Sequence, residues 1–328
     1  MKTKTKSAVF NCGLGLFLMV VALSSDVSGA EPKRVTFGYS TIGAMAAGAW
    51  MAKEIGAFER YGMRADLIYI SSGPVVVQAL IGGDLHGGIA ATNAVIAAVL
   101  RGAPIVSVVS TANRPYHRLW VQPEINRLED LRGKTLGVTR FGAVTDNLTR
   151  LLLRKYGLEG AVNIRQMGGI LEVAAAFQHR QIAGAIISGL SVGPNVPVKM
   201  LLKLEDTGIQ YSMDVIAVST DYYRRNLGNV EAIVRAYIEG VAAIRGQREM
   251  ALRAIAKYAR VTDRSRIEEI YQDSVNYLEK IPRVEPGAIF SILEFMGEKG
   301  APLETFADNS IVDRLAREGF IDKLYRSR

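Results

Sequence analysis

The sequence predicts an α/β protein with two lobes, in which two doubly wound sheets are joined by two crossing segments and followed by a helical C-terminal tail. Short apolar strands alternate with helix-like segments from Lys33 to about Leu204, and this alternation forms two successive units. From Asn229 onward the apolar residues recur at helical spacing only. The 328 residues, of which 49% are hydrophobic, suffice for two such cores.

The elements of each unit follow from the apolar periodicity and from the glycines between segments. The first unit is predicted to contain strands 34–39, 64–70, 86–91 and 105–111 and helices 42–55, 74–81 and 94–100. The second is predicted to contain strands 134–139, 162–166 and 184–187 and helices 146–156 and 171–181. The crossing strands are 118–122 and 213–219, and the tail helices are 230–245, 249–258, 264–278, 286–296 and 311–317. Because strands alternate with helices, we expect parallel sheets covered by helices.

The first 30 residues have the pattern of a secretory signal peptide. Three lysines precede a short apolar run at 9–23, and Ser28 and Ala30 supply the small residues that signal peptidase requires. A single membrane anchor is the alternative, but the run is shorter than the roughly 20 residues that span a bilayer. We therefore expect an exported, periplasmic protein, with lobe one formed by 31–117 and 214–328 and lobe two by 118–213.

The composition excludes several functional classes. The net charge of +8 is not clustered, so no nucleic-acid partner is expected. Cys12 is the only cysteine, which rules out an intrachain disulfide and a cysteine-based metal cage. The three histidines are far apart in sequence, and no dinucleotide-binding glycine motif occurs after the signal peptide, so we expect neither a metal nor a cofactor.

A G-x-S-x-G motif at 189–193 is the only feature typical of a hydrolase. Pro194 interrupts the helix that should follow such a nucleophile, and all three histidines precede Ser191, whereas this class of hydrolase has its histidine after the serine. The motif is therefore interpreted as a Gly/Pro loop.

Polar side chains follow the strands at the positions where open α/β sheets bind ligands. Most of these strand ends lead directly into a helix, whose N-terminal N–H groups favour an anionic group, and the hydroxyl or amide side chains are expected to act as N-caps. The candidate ligand-binding residues are Ser40, Thr41, Ser71, Ser72, Thr92, Asn93, Arg140, Thr145 and Ser188.

Two charged residues extend this candidate site. Arg140 stands at a strand end near Thr145, where a guanidinium could bind an anion through two hydrogen bonds. Asp214 lies in an apolar strand, where a lone carboxylate is costly unless it is paired. It either accepts an ammonium or hydroxyl group of the ligand or bonds to a backbone donor at the hinge.

Two segments resemble the nitrate/sulfonate/taurine-type solute-binding proteins of ABC transporters. The first contains Ser71-Ser72-Gly73, Gln78-Ala79-Leu80 and Gly83-Asp84-Leu85, and the second is the stretch 128–138, LEDLRGKTLGV. The resemblance covers roughly residues 33–250 and implies a type II periplasmic-binding-protein fold. It also implies ligand contacts by Ser40, Thr41, Ser72, Thr92, Asn93, Thr145 and Asp214.

The chain departs from the family pattern at two loops and in its cysteine content. Ser188-Gly189-Leu190 stands where an aromatic-proline pair is frequent, and Arg140–Ala143 replaces a serine-rich loop. The superfamily also includes proteins similar to the pyrimidine synthase of thiamine biosynthesis. The cysteine-rich motif of that iron-dependent enzyme has no counterpart here.

The predicted function is that of a periplasmic solute-binding component of an ABC importer, and not of an enzyme. A small anionic or zwitterionic solute would be captured between the lobes by hinge closure. The partners would be an inner-membrane permease with its ATPase, and the protein itself is expected to be a monomer. Two alternatives remain open: an enzyme of the same fold that uses His117 or Asp214 as general acid or base, and a ligand-sensing partner of a membrane receptor.

Overall fold

The structure is a computed structural model that describes Met1, residues 31–188 and residues 196–326. Pro32–Arg328 form one compact unit. The predicted signal peptide lies outside the described residues apart from Met1, and the G-x-S-x-G motif at 189–193 lies outside them entirely.

Ten strands occur in the described part of the chain. They are β1 (Lys33–Tyr39), β2 (Met63–Tyr69), β3 (Gly87–Ala91), β4 (Ile105–Ser110), β5 (Arg118–Val121), β6 (Thr135–Val138), β7 (Asn163–Gln166), β8 (Gly184–Ile187), β9 (Lys199–Lys203) and β10 (Asp214–Ser219). Every strand predicted from the sequence is present, with both ends within one residue of the prediction. Period-two alternation and glycine boundaries are local signals, and they located the strands accurately.

The same ranges contain thirteen α-helices. They are α1 (Ala47–Glu54), α2 (Ala57–Arg60), α3 (Gly73–Gly82), α4 (Thr92–Leu100), α5 (Val144–Lys155), α6 (Ile170–Gln178), α7 (Thr220–Arg225), α8 (Leu227–Gly246), α9 (Arg248–Ala259), α10 (Arg264–Tyr277), α11 (Pro286–Phe295), α12 (Ser310–Arg317) and α13 (Phe320–Arg326). Helix α1 begins later than predicted, because a 3-10 turn at Ala44–Ala46 precedes it. None of the helices in the described residues is both long and apolar enough to cross a bilayer.

The first sheet has the strand order β2-β1-β3-β10-β4. Strand β1 pairs in parallel with β2 and β3, as expected. Strand β10 runs antiparallel to both β3 and β4, so the prediction of a purely parallel sheet is wrong. The chain reaches β10 from the second sheet, without the crossover helix that makes neighbouring strands parallel.

The second sheet has the order β7-β6-β8-β5-β9 and departs from the prediction in the same way. Strands β7 and β8 are parallel to β6, whereas β5 is antiparallel to β8 and β9. Strand β9 was not predicted, because it is a short, partly exposed edge strand two residues after Pro197. Such an edge strand carries little of the apolar signal that marks buried strands.

The chain passes from the first sheet to the second between β4 and β5 and returns between β9 and β10. Strand β5 begins at Arg118, and β10 begins at Asp214. The division into a lobe of 31–117 with 214–328 and a lobe of 118–213 uses these two positions as its boundaries and stays a prediction.

Helices α1 and α8 pack with their backbones in close contact beside the first sheet. A Cβ atom on Gly240 of α8 would lie 2.1 Å from the Gly48 carbonyl oxygen of α1 and 2.6 Å from the Ala52 nitrogen. Only glycine permits this approach. The same contact places the ring of Tyr237 against Gly48.

Candidate ligand-binding site

The carboxyl ends of the strands in the two sheets lie next to each other, which is where open α/β sheets bind their ligands. The Asn93 side chain, just after β3, donates a hydrogen bond of 2.8 Å to the Gly142 carbonyl oxygen, which follows β6. We call this region the strand-end site and define it by Thr41, Gly43, Ser72, Asn93, Tyr116, Gly142, Ser188 and Asp214.

Three hydroxyl groups from three segments converge on Gly43. A Cβ atom built on this glycine would lie 3.4 Å from Thr41 Oγ1, 3.8 Å from Ser188 Oγ and 3.8 Å from the Tyr116 hydroxyl. Thr41 Oγ1 also accepts a hydrogen bond of 3.2 Å from the Gly43 nitrogen. Ser188 follows β8, a strand of the second sheet. The three hydroxyl groups around Gly43 therefore connect the part of the site formed by the first sheet with the part formed by the second.

The loop after β6 is held in place by Asp146 at the start of α5. The Gly142 nitrogen donates a hydrogen bond of 3.0 Å to Asp146 Oδ2, and Arg150 donates to Oδ1 at 2.8 Å. Gly142 has a φ of +80°, a conformation that favours glycine. The Gly142 carbonyl oxygen, which accepts the hydrogen bond from Asn93, therefore has a fixed orientation.

The predicted side-chain capping of the helices is wrong. Ser72 is the N-cap of α3, but its hydroxyl forms no capping hydrogen bond. Helices α4 and α5 are preceded by Ala91 and Ala143, which have no side chain capable of capping. The polar residues of the sequence pattern lie in the right loops, but their hydrogen bonds depend on tertiary neighbours.

The threonines expected as caps lie inside the first turns of their helices and bond to other hydroxyl groups. Thr92 Oγ1 lies 3.1 Å from Ser212 Oγ, which in turn lies 3.4 Å from Ser110 Oγ. Thr145 Oγ1 accepts from the Thr139 nitrogen at 3.0 Å and lies 2.8 Å from the Thr139 hydroxyl. Both threonines therefore brace the strand ends.

Several buried polar atoms near the strand ends have no hydrogen-bond partner among the described residues. In folded proteins the large majority of such atoms are paired. The unpaired atoms at or beside the strand-end site are Ser72 Oγ, Asn93 Oδ1, Arg140 Nε, Asn147 Oδ1, Tyr211 OH and Tyr237 OH. Some of these atoms belong to residues next to the first sheet and others to residues next to the second. Each could form a hydrogen bond with a molecule held between the two sheets.

Asp214 begins β10, opposite Ala91 at the end of β3. Its side chain is buried and forms no hydrogen bond or ion pair with any residue that the structure describes. Its carbonyl oxygen, by contrast, accepts from both the nitrogen and the hydroxyl of Thr111, each at 2.8 Å. Burial raises the pKa of the Asp214 carboxyl to about 7. The expected bond from a backbone donor is therefore not formed by this carboxylate.

Three buried tyrosines, Tyr116, Tyr211 and Tyr237, lie within reach of the charge of Asp214. Burial raises the pKa of each hydroxyl well above its usual value, and the nearby charge of Asp214 raises it further. A hydrogen bond with Ser188 opposes this shift at Tyr116. All three hydroxyls are therefore neutral at physiological pH and can donate or accept hydrogen bonds.

His117 is also buried but differs in its electrostatics. Burial, followed by the positive charge of Arg118, lowers the pKa of its imidazole to about 3. Its ring packs edge-on against Tyr116, with 4.7 Å between the ring centroids. The side chain is thus a neutral imidazole at physiological pH and does not offer a protonated general acid.

The remaining sequence candidates have different positions. Ser71 is exposed, and Ser40 is partly buried, with its backbone nitrogen bonded to the Ile89 carbonyl at 3.2 Å. Arg140 is partly buried. Burial raises the pKa of the Tyr69 hydroxyl at the end of β2, and the positive charge of Arg140 opposes this shift. Ser188 accepts a hydrogen bond at its carbonyl oxygen from Arg118. The structure thus brings most, but not all, of the candidate residues together.

A concave surface region adjoins this site through Tyr277, whose ring packs against that of Tyr116 with 5.7 Å between the ring centroids. This concavity of about 530 Å³ is lined by 275–281 together with Arg114 and Arg245. Within the described ranges, no group of three or more His, Cys, Asp or Glu residues is arranged to hold a metal ion. The unpaired polar atoms therefore point to the strand ends as the candidate site.

Sequence reasoning missed part of the site. Tyr211 precedes β10 and Tyr237 lies in α8, and neither occurs in a motif or at a predicted strand end. Gly43 was likewise not a candidate. These residues are brought together only by the packing of α8 and β10, so no local signal identified them.

The chain is similar to several known proteins. A binding protein of Brucella abortus (strain 2308) is 33% identical over 136 residues, which is 41% of this chain and 41% of that protein. The periplasmic aliphatic sulphonate binding protein of Escherichia coli is 19% identical, with a TM-score of 0.65, over 90% of this chain and 92% of its own. The periplasmic nitrate-binding protein of Synechocystis PCC 6803 is 14% identical, with a TM-score of 0.67, over 88% and 89% of the two chains.

These likenesses bear on the fold and on the family. The structural matches confirm the predicted two-sheet, type II periplasmic-binding-protein fold. The family model described as NMT1/THI5 like matches residues 44–251, which is more than half of the sequence. The chain therefore belongs to the NMT1/THI5-like family.

Proposed function

We propose that this protein is the periplasmic solute-binding component of an ABC importer and that it captures a small anionic or zwitterionic solute at the strand-end site. The relatives that support this role are named as binding proteins, for aliphatic sulphonates in one case and nitrate in another. The partners would be an inner-membrane permease and its ATPase. The signal-peptide pattern of residues 1–30 supports export to the periplasm.

One observation carries the proposal: buried, unpaired polar atoms from both halves of the fold lie around the same strand ends. Ser72 Oγ and Asn93 Oδ1 belong to the first half, whereas Arg140 Nε belongs to the second. Leaving such a group without a partner costs about 1–3 kcal/mol. A solute that bonds to several of these atoms recovers this cost and gains affinity in the same step.

The proposed mechanism is a shift between open and closed arrangements of the two lobes. A solute that contacts both lobes stabilises the closed arrangement, because only that arrangement forms all of its contacts. The hydrogen bond from Asn93 to Gly142 is one direct contact between the two halves that would form on closure. A buried carboxyl with a pKa of about 7 is also suited to general acid–base catalysis, so recovery of the bound compound unchanged is the observation that separates binding from catalysis.

The experiment that tests this function is calorimetric titration of the full-length protein with sulfonates, carboxylates, nitrate and amino acids. We expect at least one class to bind and to be recovered unchanged. Ser72→Ala should then weaken binding about tenfold, because a hydrogen bond to a charged group is worth about 1.5–3 kcal/mol. Conversion of the bound compound to a product would instead show an enzyme.

Ser265→Ala is the matched control for this titration. Ser265 is exposed on α10 and forms no hydrogen bond within the described residues. Its replacement should leave the affinity unchanged. If Ser72→Ala and Ser265→Ala bind the solute equally well, or if no class binds, the strand-end site is not the binding site.

A further inference from the structure

We infer that the concavity lined by residues 275–281, Arg114 and Arg245 is a second ligand-binding site, which takes an organic anion that carries an apolar group. We call it the tail concavity, because most of its lining lies at the end of α10 and directly after it. Its volume of about 530 Å³ is within the range of about 300–1,000 Å³ that is typical of small-molecule sites. It shares no lining residue with the strand-end site, so the inference does not depend on the proposed function.

Three basic side chains line the tail concavity: Arg114, Arg245 and Lys280. None of them forms an ion pair with a residue that the structure describes. Glu279 is the one carboxylate among the lining residues, and one of its oxygens accepts a hydrogen bond of 3.1 Å from the Asn113 nitrogen. The lining therefore carries an excess of positive charge, which favours an anion.

The two guanidinium groups are held in place by backbone carbonyls at the end of α10. Arg245 Nη2 donates to the carbonyl oxygens of Val275 and Leu278 at 2.7 and 2.9 Å, and Arg114 Nη2 donates to that of Asn276 at 2.9 Å. A helix C-terminus carries only about half a negative charge, so it does not neutralise two guanidiniums. Each guanidinium also has more N–H donors than these bonds use. Donors of fixed position thus remain for an anion, to which charged hydrogen bonds are strong.

A smaller concavity of the protein shows the contrast. It has a volume of about 270 Å³ and is lined by two basic residues, Lys134 and Arg180. Arg180 forms an ion pair of 2.7 Å with Glu124, which lines the same concavity. Its lining therefore supplies a partner for one of its own cations, whereas the lining of the tail concavity supplies none within 4.0 Å among the described residues.

Apolar side chains lie beside the charges of the tail concavity. The Ile281 side chain is 45% exposed, and Val275 is partly buried. The ring of Tyr277 forms a further part of the lining, with the Arg114 guanidinium 5.0 Å from its centroid. An apolar group on the ligand would cover Ile281, which burial makes favourable. An organic anion therefore suits this lining better than an inorganic one.

The walls of the tail concavity are fixed before any ligand binds. The Glu279 nitrogen donates a hydrogen bond of 3.0 Å to the Thr111 carbonyl oxygen, and the Asn113 side chain donates one of 3.0 Å to the Arg283 carbonyl oxygen. These bonds attach the segment after α10 to the segment between β4 and β5. A preformed site loses less conformational entropy when its ligand binds.

The test is calorimetric titration of the full-length protein with phenyl phosphate, inorganic phosphate and the neutral compound benzyl alcohol. We expect phenyl phosphate to bind saturably and at least tenfold more tightly than either of the other two, since it alone meets both the basic and the apolar part of the lining. Ile281→Ser should reduce this preference over inorganic phosphate and leave the affinity for inorganic phosphate unchanged.

Variants of the exposed basic residues locate the site. Arg114→Gln and Lys280→Gln should each weaken the binding of phenyl phosphate about fivefold, and the double variant should weaken it at least twentyfold. Lys134→Gln, which removes a basic residue of the smaller concavity, is the matched control and should leave the affinity unchanged. Ser72→Ala should also leave it unchanged, because Ser72 belongs to the strand-end site.

Three results would overturn the inference. They are the absence of phenyl phosphate binding, equal binding by the original protein and the Arg114→Gln/Lys280→Gln variant, and a loss of binding in Ser72→Ala that the double variant does not show. The last result would place the probe at the strand-end site. None of the three affects the proposed function, which is tested with other compounds and other variants.

Discussion

The Arg118 guanidinium donates hydrogen bonds of 2.7 and 3.1 Å to the two carboxylate oxygens of Asp273. This pair links the first residue of β5 in the second sheet to α10 of the C-terminal tail. The same guanidinium donates to the carbonyl oxygen of Ser188, whose hydroxyl belongs to the strand-end site. A buried ion pair thus fixes one wall of the candidate site to the helical tail.

Arg118→Leu should destabilise the protein by about 3 kcal/mol, because it leaves the Asp273 carboxylate buried without a partner. The double variant Arg118→Leu/Asp273→Leu should recover part of this loss. Urea unfolding monitored by circular dichroism measures both changes. Arg34→Ala is the control, since its pair with Asp66 is exposed and should contribute at most about 1 kcal/mol. Equal losses at the two sites would contradict the role assigned to the buried pair.

Asp214→Asn should change how the stability of the protein depends on pH. The carboxyl has a pKa of about 7 in the folded protein and an ordinary value of 3.8, so the folded state binds its proton more tightly. Its contribution to stability is therefore present below about pH 4 and is lost as the pH rises to 7, at about 1.4 kcal/mol per pH unit.

The measurement is urea unfolding of both proteins at pH 5, 6, 7 and 8. Other carboxyls, such as those of Glu54 and Glu231, have lowered pKa values and change stability in the opposite direction, so the difference between the two proteins is the quantity to compare. That difference should favour Asn increasingly up to pH 7 and then level off. A constant difference would show that Asp214 is ionised throughout.

Gly240→Ala should weaken the packing of α8 against α1. The added methyl group would lie 2.1 Å from the Gly48 carbonyl oxygen, and inserting a methyl group into a packed core costs about 1–3 kcal/mol. Gly228→Ala, in the same helix, is the matched control, because its Cβ position has no atom within 4 Å. That variant should be neutral or more stable by up to about 1 kcal/mol. Thermal unfolding of the two variants distinguishes close packing from helix propensity.

Gly43→Ala should reduce solute binding with little effect on folding. The new methyl group would lie 3.4–3.8 Å from the hydroxyls of Thr41, Ser188 and Tyr116, which is ordinary van der Waals contact. It would occupy the space toward which these hydroxyls point, so we expect the affinity for a bound solute to fall at least tenfold. Calorimetry measures this loss, and an unchanged melting temperature provides the folding control. Undiminished binding would place the solute elsewhere.

The strands were predictable because their signals are local. Strand β8 has the predicted bounds, and a short buried run between Gly184 and Ser188 is sufficient to locate it. Asp214 was also identifiable, because a single carboxylate within an apolar run is unusual in any fold. The antiparallel directions of β5 and β10 were not predictable, since they depend on how the chain passes between the sheets.

The sequence by itself determined the two sheets, the helical tail, the family and the loops that carry polar residues. Periodicity, glycine positions and the segments at 71–85 and 128–138 contain that information locally. Only the tertiary structure decided that Thr92 and Thr145 brace strand ends instead of capping helices, and that Asp214 is buried without a hydrogen-bond partner among the described residues. These relationships depend on packing and burial, which no single segment of the sequence specifies.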